Sequence, residues 1–252
     1  MRDFQQERAA TKARIRRRGI YLLPNLFTTA SLFAGFYSIV QAMNQRFEEA
    51  AIAILVAMVL DGLDGRVARL TKTQSAFGAE YDSLSDMVSF GAAPALVMYE
   101  WALRPMDKLG WVAAFVYIAG AALRLARFNT NIDVVDKRFF QGLPSPAAAA
   151  LVAGFIWVAH AFDLTTVGER WVGLVITLYA GITMVTNVPF YSGKTINLRR
   201  SIPFFVPLFI VLGVALFSMH PPLVLFVISA CYGVSGYVYV AWRWMQGRRA
   251  RT

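Results

Sequence analysis

Four aspartates in the first third of the chain combine a residue type and a spacing that can do chemistry. Asp61 and Asp64 stand three apart in Leu60-Asp61-Gly62-Leu63-Asp64-Gly65-Arg66-Val67-Ala68-Arg69, and Asp82 and Asp86 stand four apart in Asp82-Ser83-Leu84-Ser85-Asp86. Helical residues three or four apart share a face, so each pair presents two carboxylates in one direction. Asp61 and Asp64 share theirs with Gly65 and Ala68. The short connection between the pairs makes their helices neighbours and gathers the four carboxylates into one cluster. Such a cluster repels itself unless something positive sits within it. All-carboxylate ligation suits hard divalent cations such as Mg2+ or Mn2+. Four carboxylates can hold two ions, as in phosphoryl-transfer sites where metals neutralise phosphates. Gly62, Gly65, Ala68 and Gly78 remove side chains where a base and ribose would approach the backbone. Arg69 offers a planar fork to a phosphate.

A single membrane aspartate often pairs with arginine or serves an ion path, and a single glycine often only lets helices pack closely. Four aspartates interleaved with Gly, Ala and Arg at these spacings are poorly explained by either role.

The elements that must carry this cluster read as membrane helices. The chain has 252 residues, 57% hydrophobic and 16% charged, too apolar to be covered by its own polar surface as a soluble domain. Apolar runs near 21–42, 49–67, 84–104, 109–128, 144–162, 171–189, 202–219 and 221–242 approach the length of a bilayer-spanning helix. The expected fold is therefore an all-α, polytopic bundle of about eight spans forming one membrane-embedded domain over 1–252. It has a basic cytoplasmic segment at 1–20 and two additional C-terminal spans over 202–242. His220-Pro221-Pro222 marks the turn between those two. The first apolar run reads as a span and not as a cleavable signal peptide.

The net charge of +10 raises nucleic acid as a partner, but its distribution argues for a membrane. With the N-terminus cytoplasmic and eight crossings, 21 of the 25 basic residues fall on the cytoplasmic side, leaving Arg46, Arg104, Lys108 and Arg170 opposite. That is the positive-inside bias, with basic residues meeting anionic headgroups. Both termini and the aspartates are expected on the cytoplasmic side of the cell (inner) membrane. The lone cysteine, Cys231, excludes an intrachain disulfide and reads as a small packing residue. His160 and His220 read as interfacial residues on the far side from the aspartates, and Lys194 as an interface anchor.

Asp61-x2-Asp64-Gly65-x2-Ala68-Arg69-x8-Gly78-x3-Asp82-x3-Asp86 resembles the complete signature of the CDP-alcohol phosphatidyltransferase family. The resemblance covers about the first six spans. It implies that Asp61, Asp64 and Asp82 bind metal, that Asp86 helps bind metal and acts as general base, and that Gly65, Ala68, Arg69 and Gly78 line a CDP site. Three further stretches resemble the membrane-embedded phosphatidylserine synthases of bacteria and archaea. They are Leu23-Pro24-Asn25-Leu26-Phe27-Thr28, then Leu123-Arg124-Leu125-Ala126-Arg127-Phe128-Asn129 with Gly142-Leu143-Pro144-Ser145-Pro146, and Met184 to Ser192. Serine as acceptor and CDP-diacylglycerol as donor are what this implies, with CMP released and a homodimer as the assembly.

All three stretches fall at cytoplasmic helix ends. Serine brings a carboxylate, which a guanidinium matches, and Arg124 and Arg127 are three apart and can face one pocket. They serve equally as positive-inside anchors. Asn25 and Thr28 can donate hydrogen bonds to the nucleotide or its phosphates, or cap and pack the first helix. Glycerol 3-phosphate and inositol phosphate remain alternative acceptors, although a phosphorylated acceptor calls for a denser basic pocket than two arginines. A cation transporter using the same aspartates is the alternative of another class, and a binding-only role is the third.

Overall fold

In the first helix and the one after it, hydroxyls on one helix reach carbonyls on the other. The computed structural model describes residues 24–71, 73, 75–130, 139–163, 167–192 and 205–249; the basic segment 1–20 and Lys194 lie outside them. Helix α1 (Pro24–Met43) is tied to α2 (Phe47–Thr71) where Ser31 Oγ and Ser38 Oγ donate to the carbonyls of Ala57 and Ala50. Gln45, at φ 62°, turns the chain between them. Glu48 and Glu49 in the first turn of α2 and Arg69 in its last complement the helix dipole.

The third rod is longer than its apolar pattern indicates. It begins with α3 (Ala76–Asp86), where the Ser75 side chain accepts the Gly78 N–H as an N-cap. It passes through a π-helical stretch (Met87–Ala92) into α4 (Ala93–Met98), then a second π stretch and a 3-10 turn ending at Met106. Asp82 thus lies inside a helix that starts eight residues before the expected span. The π widening has a local cause. Pro94 lacks an N–H and its ring crowds the carbonyl four residues back, that of Phe90, which instead accepts the Tyr117 hydroxyl at 3.1 Å.

Five more helices complete the bundle among the described residues: α5 (Lys108–Thr130), α6 (Ser145–Ala161), α7 (Val167–Val185) and the pair α8 (Phe205–Met219) and α9 (Pro221–Arg249). The turn at His220 falls where the prolines require it. The core is built largely from small residues: Ala50, Ile54 and Ala57 of α2 pack with Ala148, Ala149, Val152 and Ile156 of α6. Close backbone approach substitutes for bulky side chains. At Gly120 of α5, a Cβ would run into the backbone of Gly181 on α7.

The fold is all-α apart from a feature that helical periodicity does not signal. Strands β1 (Phe139–Gln141) and β2 (Pro189–Tyr191) pair antiparallel, Phe140 opposite Phe190. Gly142, at φ +77°, leads out of β1 against the carbonyls of Met184 and Thr186.

Among the described residues, three helices are long and apolar enough to cross a membrane: Pro24–Met43, Lys108–Thr130 and Pro221–Gln246. Helix α2 carries Asp61, Asp64, Arg66 and Arg69 within its length, and α6 has 17 residues. Large apolar side chains such as Phe33, Phe36, Phe115, Val175 and Val211 face outward, as they do in a protein solvated by lipid. Cys231 is exposed on α9, which corrects its reading as a packing residue. His160 Nε2 lies 3.8 Å from Glu48 Oε2, and the His220 ring lies beside Phe162, both remote in sequence from the aspartates.

Candidate functional site

Helices α2 and α3 bring the two aspartate pairs together as their spacing requires. Asp61, Asp64 and Asp82 each offer a carboxylate oxygen, and the three oxygens lie within 4.8 Å of one another. Asp86, one turn beyond Asp82 on α3, is an electrostatic neighbour of both Asp61 and Asp82, so the fourth aspartate adjoins the cluster. Two unit charges about 4.8 Å apart repel by about 3.5 kcal/mol at an effective dielectric of about 20. Three such pairs cost about 10 kcal/mol, comparable with the whole folding free energy of a typical domain. The cluster therefore demands positive charge, as bound cations or as protons.

The donor set distinguishes between these. Buried oxygens Asp82 Oδ1 and Asp86 Oδ1 have no hydrogen-bond partner. Buried polar atoms are rarely left so, and orphaned carboxylate oxygens directed into an oxygen-only cluster are what a hard divalent cation takes up. The residues present fit a divalent metal.

Around the cluster, hydroxyls hold the backbone and the carboxylates in place. Thr28 Oγ1 lies 2.6 Å from Asp64 Oδ2 and 3.2 Å from the Pro24 carbonyl. It has one proton, and the shorter, charge-assisted bond takes it. Ser85 Oγ donates to the Thr28 carbonyl, and Ser89 Oγ to the Ser31 carbonyl. Helix α1 is thereby fixed to α3 and the π stretch at the same level as the aspartates. Thr28 is 4% exposed, so its hydroxyl faces the carboxylate and not solvent.

Beside the aspartates opens a cavity of about 320 Å3, lined by Asn25, Thr28, Asp64, Gly65, Ala68, Arg69, Gly78 and Asp82 together with Pro24, Thr73, Ser75 and Ala79. Its volume is within the range of small-molecule sites. Gly65, Ala68, Arg69 and Gly78, proposed from the sequence as one wall, meet Asn25 and Thr28 of α1 across it. A Cβ on Gly78 would lie 3.6 Å from Asn25 Oδ1, a measure of how closely α1 and α3 approach. Gly62 is exposed and does not line the cavity, which corrects its place among the nucleotide-facing residues. Thr73 and Ser75 of the α2–α3 connection and Ala79 of α3 were not foreseen, and no residue pattern marks them.

The two arginines of α5 part company. Arg124 Nη1 donates to Ser145 Oγ at 2.6 Å, and its charge acts on Asp86. Arg127 turns to the other side: Nη1 and Nη2 bond the carbonyls of Gln141, Met184, Val185 and Thr186 and Asn187 Oδ1, at 2.8–3.3 Å. Their described hydrogen-bond partners differ, although the two charges remain neighbours. Asn129, two residues beyond Arg127, exchanges a hydrogen bond with Ser83 next to Asp82. Ser145 and Asn129 belong to stretches singled out in the sequence, but their partners lie 21 and 46 residues away and only folding reveals them.

Comparison with known proteins agrees with this geometry. A protein-family model described as CDP-alcohol phosphatidyltransferase matches residues 21–190. The chain is similar to a CDP-diacylglycerol–serine O-phosphatidyltransferase of Helicobacter pylori, 34% identical over 226 residues, covering 90% of this chain and 92% of that one. A protein of the same name from Mycobacterium leprae is 33% identical, covering 84% of this chain and 72% of its own. A third, from Methanocaldococcus jannaschii, is 34% identical over 73% of this chain and 82% of its own.

Proposed function

This chain belongs to the CDP-alcohol phosphatidyltransferase family, and we propose that within it the protein transfers the phosphatidyl group of CDP-diacylglycerol to the hydroxyl of L-serine, releasing CMP. The observation that carries the reading is the shared cavity, where Asp64, Gly65, Ala68, Arg69, Gly78 and Asp82 of the signature line one space against a carboxylate cluster that requires cations. The relatives named as serine O-phosphatidyltransferases support serine over a phosphorylated acceptor.

Asp61, Asp64, Asp82 and Asp86 would hold the divalent ions, two in number and Mg2+ or Mn2+, which when bound would supply neutralisation of the diphosphate and of the departing CMP. The chain's own residues do the rest. Gly65, Ala68 and Gly78 leave the cavity wall bare for the CDP head, Arg69 meets its phosphate, and Asn25 offers an amide. Thr28 acts on the reaction through Asp64, whose orientation it sets. Asp86 accepts the proton of the serine hydroxyl as the serine oxygen bonds to the lipid-side phosphorus. The phosphoanhydride bond breaks, and its electron pair leaves with CMP. Arg124 receives the serine carboxylate, held towards it by Ser145. Arg127, its donors committed to backbone carbonyls, is a positioning residue on this reading and not the serine ligand expected of it.

The same proposal has eight spans, both termini cytoplasmic and the cavity open to the cytoplasmic leaflet of the inner membrane, supported by the distribution of basic residues. It also has a homodimer, tested by the mass of the detergent-solubilised protein. The deciding experiment is CMP release from CDP-diacylglycerol by purified protein. Release that requires both L-serine and Mg2+ or Mn2+ supports the proposal. Release with glycerol 3-phosphate or inositol phosphate but not serine would assign another acceptor, and ion flux without CMP would overturn the enzyme.

A further inference from the structure

The family model ends at residue 190, yet α9 makes a specific set of contacts with the residues on either side of that limit and with β1. The Tyr232 hydroxyl donates to the Tyr191 carbonyl at 3.1 Å, and its ring lies 5.7 Å from that of Phe190. One turn on, Gly236 leaves the space that the Phe190 ring and Val188 fill; a Cβ there would come within 2.7 Å of Phe190 and 2.8 Å of Val188. Tyr239 stacks on Phe139 of β1, ring centroids 5.4 Å apart. Thus α9 holds both strands of the β1–β2 pair from outside.

The strand pair in turn governs the surroundings of Arg124. Arg127, one helical turn along α5, grips the carbonyl of Gln141 at the end of β1 and the Met184, Val185 and Thr186 carbonyls before β2. The Gly142 and Leu143 N–H groups donate to the Val188 and Thr183 carbonyls. Two residues later the chain reaches Ser145, whose hydroxyl accepts from Arg124. Ser145 therefore stands where the strand pair puts it. Tyr232 is also an electrostatic neighbour of Arg124.

We propose that α9 is part of the acceptor end of the site: Tyr232 and Gly236 hold β2, and through the strand pair, Arg127 and Ser145 they set the position of Arg124, so that α9 governs affinity for the acceptor alcohol and not for the CDP-lipid. This rests on the reading of Arg124 as the ligand of the acceptor carboxylate. The cavity lined by Asn25, Arg69 and Gly78 includes no residue of α9, which is why the two substrates should respond differently.

Tyr232→Phe keeps the ring and deletes the hydroxyl. With the purified protein in detergent, it should raise KM for serine about two- to tenfold, the range of one net hydrogen bond, leaving KM for CDP-diacylglycerol within twofold. Gly236→Val should act in the same direction more strongly. Ser235→Ala, whose hydroxyl bonds only within α9 among the described contacts, should leave both unchanged. Equal changes in the two KM values, or a lowered melting temperature with KM for serine unaltered, would overturn the proposal and leave α9 a structural helix. Failure of the underlying reading looks different: Arg124→Ala would then change both KM values alike, and if serine were not the acceptor the unmodified protein would show no serine-dependent CMP release at all.

Discussion

Thr28→Val tests the link between fold and chemistry at a single atom. Valine matches threonine in shape and keeps the α1 packing, but removes the hydroxyl that lies 2.6 Å from Asp64 Oδ2. A hydrogen bond to a charged group contributes about 1.5–3 kcal/mol, which at about 1.4 kcal/mol per decade corresponds to roughly ten- to hundredfold. Asp64 sits at the edge of an open cavity, so water can replace part of the lost bond and the lower end is expected. The loss should fall on the divalent ion, because Asp64 without its donor is free to leave the orientation that converges with Asp61 and Asp82. The assay is CMP release at saturating CDP-diacylglycerol and serine, titrated with Mg2+ and with Mn2+. Half-activation should move to about tenfold higher metal, with activity recovered at saturation, and Thr28→Ser should restore the original value. An unchanged metal requirement in the valine variant would refute the role of Thr28 in orienting Asp64, and a lower activity that excess metal cannot recover would place Thr28 in the nucleotide site instead.

Three further outcomes follow from the same geometry. Asp86→Asn removes the proton acceptor while keeping shape, so serine-dependent turnover should fall by at least about a hundredfold, in line with general-base losses, while CDP-lipid binding measured by equilibrium dialysis persists; near-normal turnover would remove Asp86 as base. Arg124→Ala should raise the serine requirement far more than the CDP-lipid requirement in steady-state kinetics, and equal effects on both would take Arg124 out of the acceptor site. Gly142→Ala puts a side chain at φ +77° against backbone carbonyls and should destabilise the protein by about 1–3 kcal/mol, read as a lower midpoint of thermal unfolding in detergent; an unchanged midpoint would mean that the exit from β1 relaxes freely.

The aspartate cluster was legible because its information is local. Spacings of three and four on helices joined by a short connection leave few ways for Asp61, Asp64, Asp82 and Asp86 to avoid one another. The small residues beside them could be assigned to a cavity wall for the same reason. Most helices among the described residues were legible from apolar runs, and the turn at His220 from its two prolines. The start of α3 was missed because Gly78, Glu80 and Asp82 break up its apolar residues, and helix there is announced by the Ser75 cap and not by a long apolar run.

What the sequence by itself determined, then, was the set of groups whose relations are carried along a single helix or across one short link: the carboxylates, the glycines and alanine near them, and the apolar lengths that need a lipid solvent. The tertiary structure alone decided which of two similar arginines faces Asp86 and which is absorbed by backbone carbonyls, because Arg124 and Arg127 differ only in which distant segment meets each. It also decided that the Phe90 carbonyl crowded by Pro94 is satisfied by Tyr117, and it decided the β1–β2 pair that rests on α9. Those depend on backbone groups left unpaired in one segment finding donors in another, and a hydrogen bond between residues far apart in the chain leaves no periodic trace in the order of its amino acids.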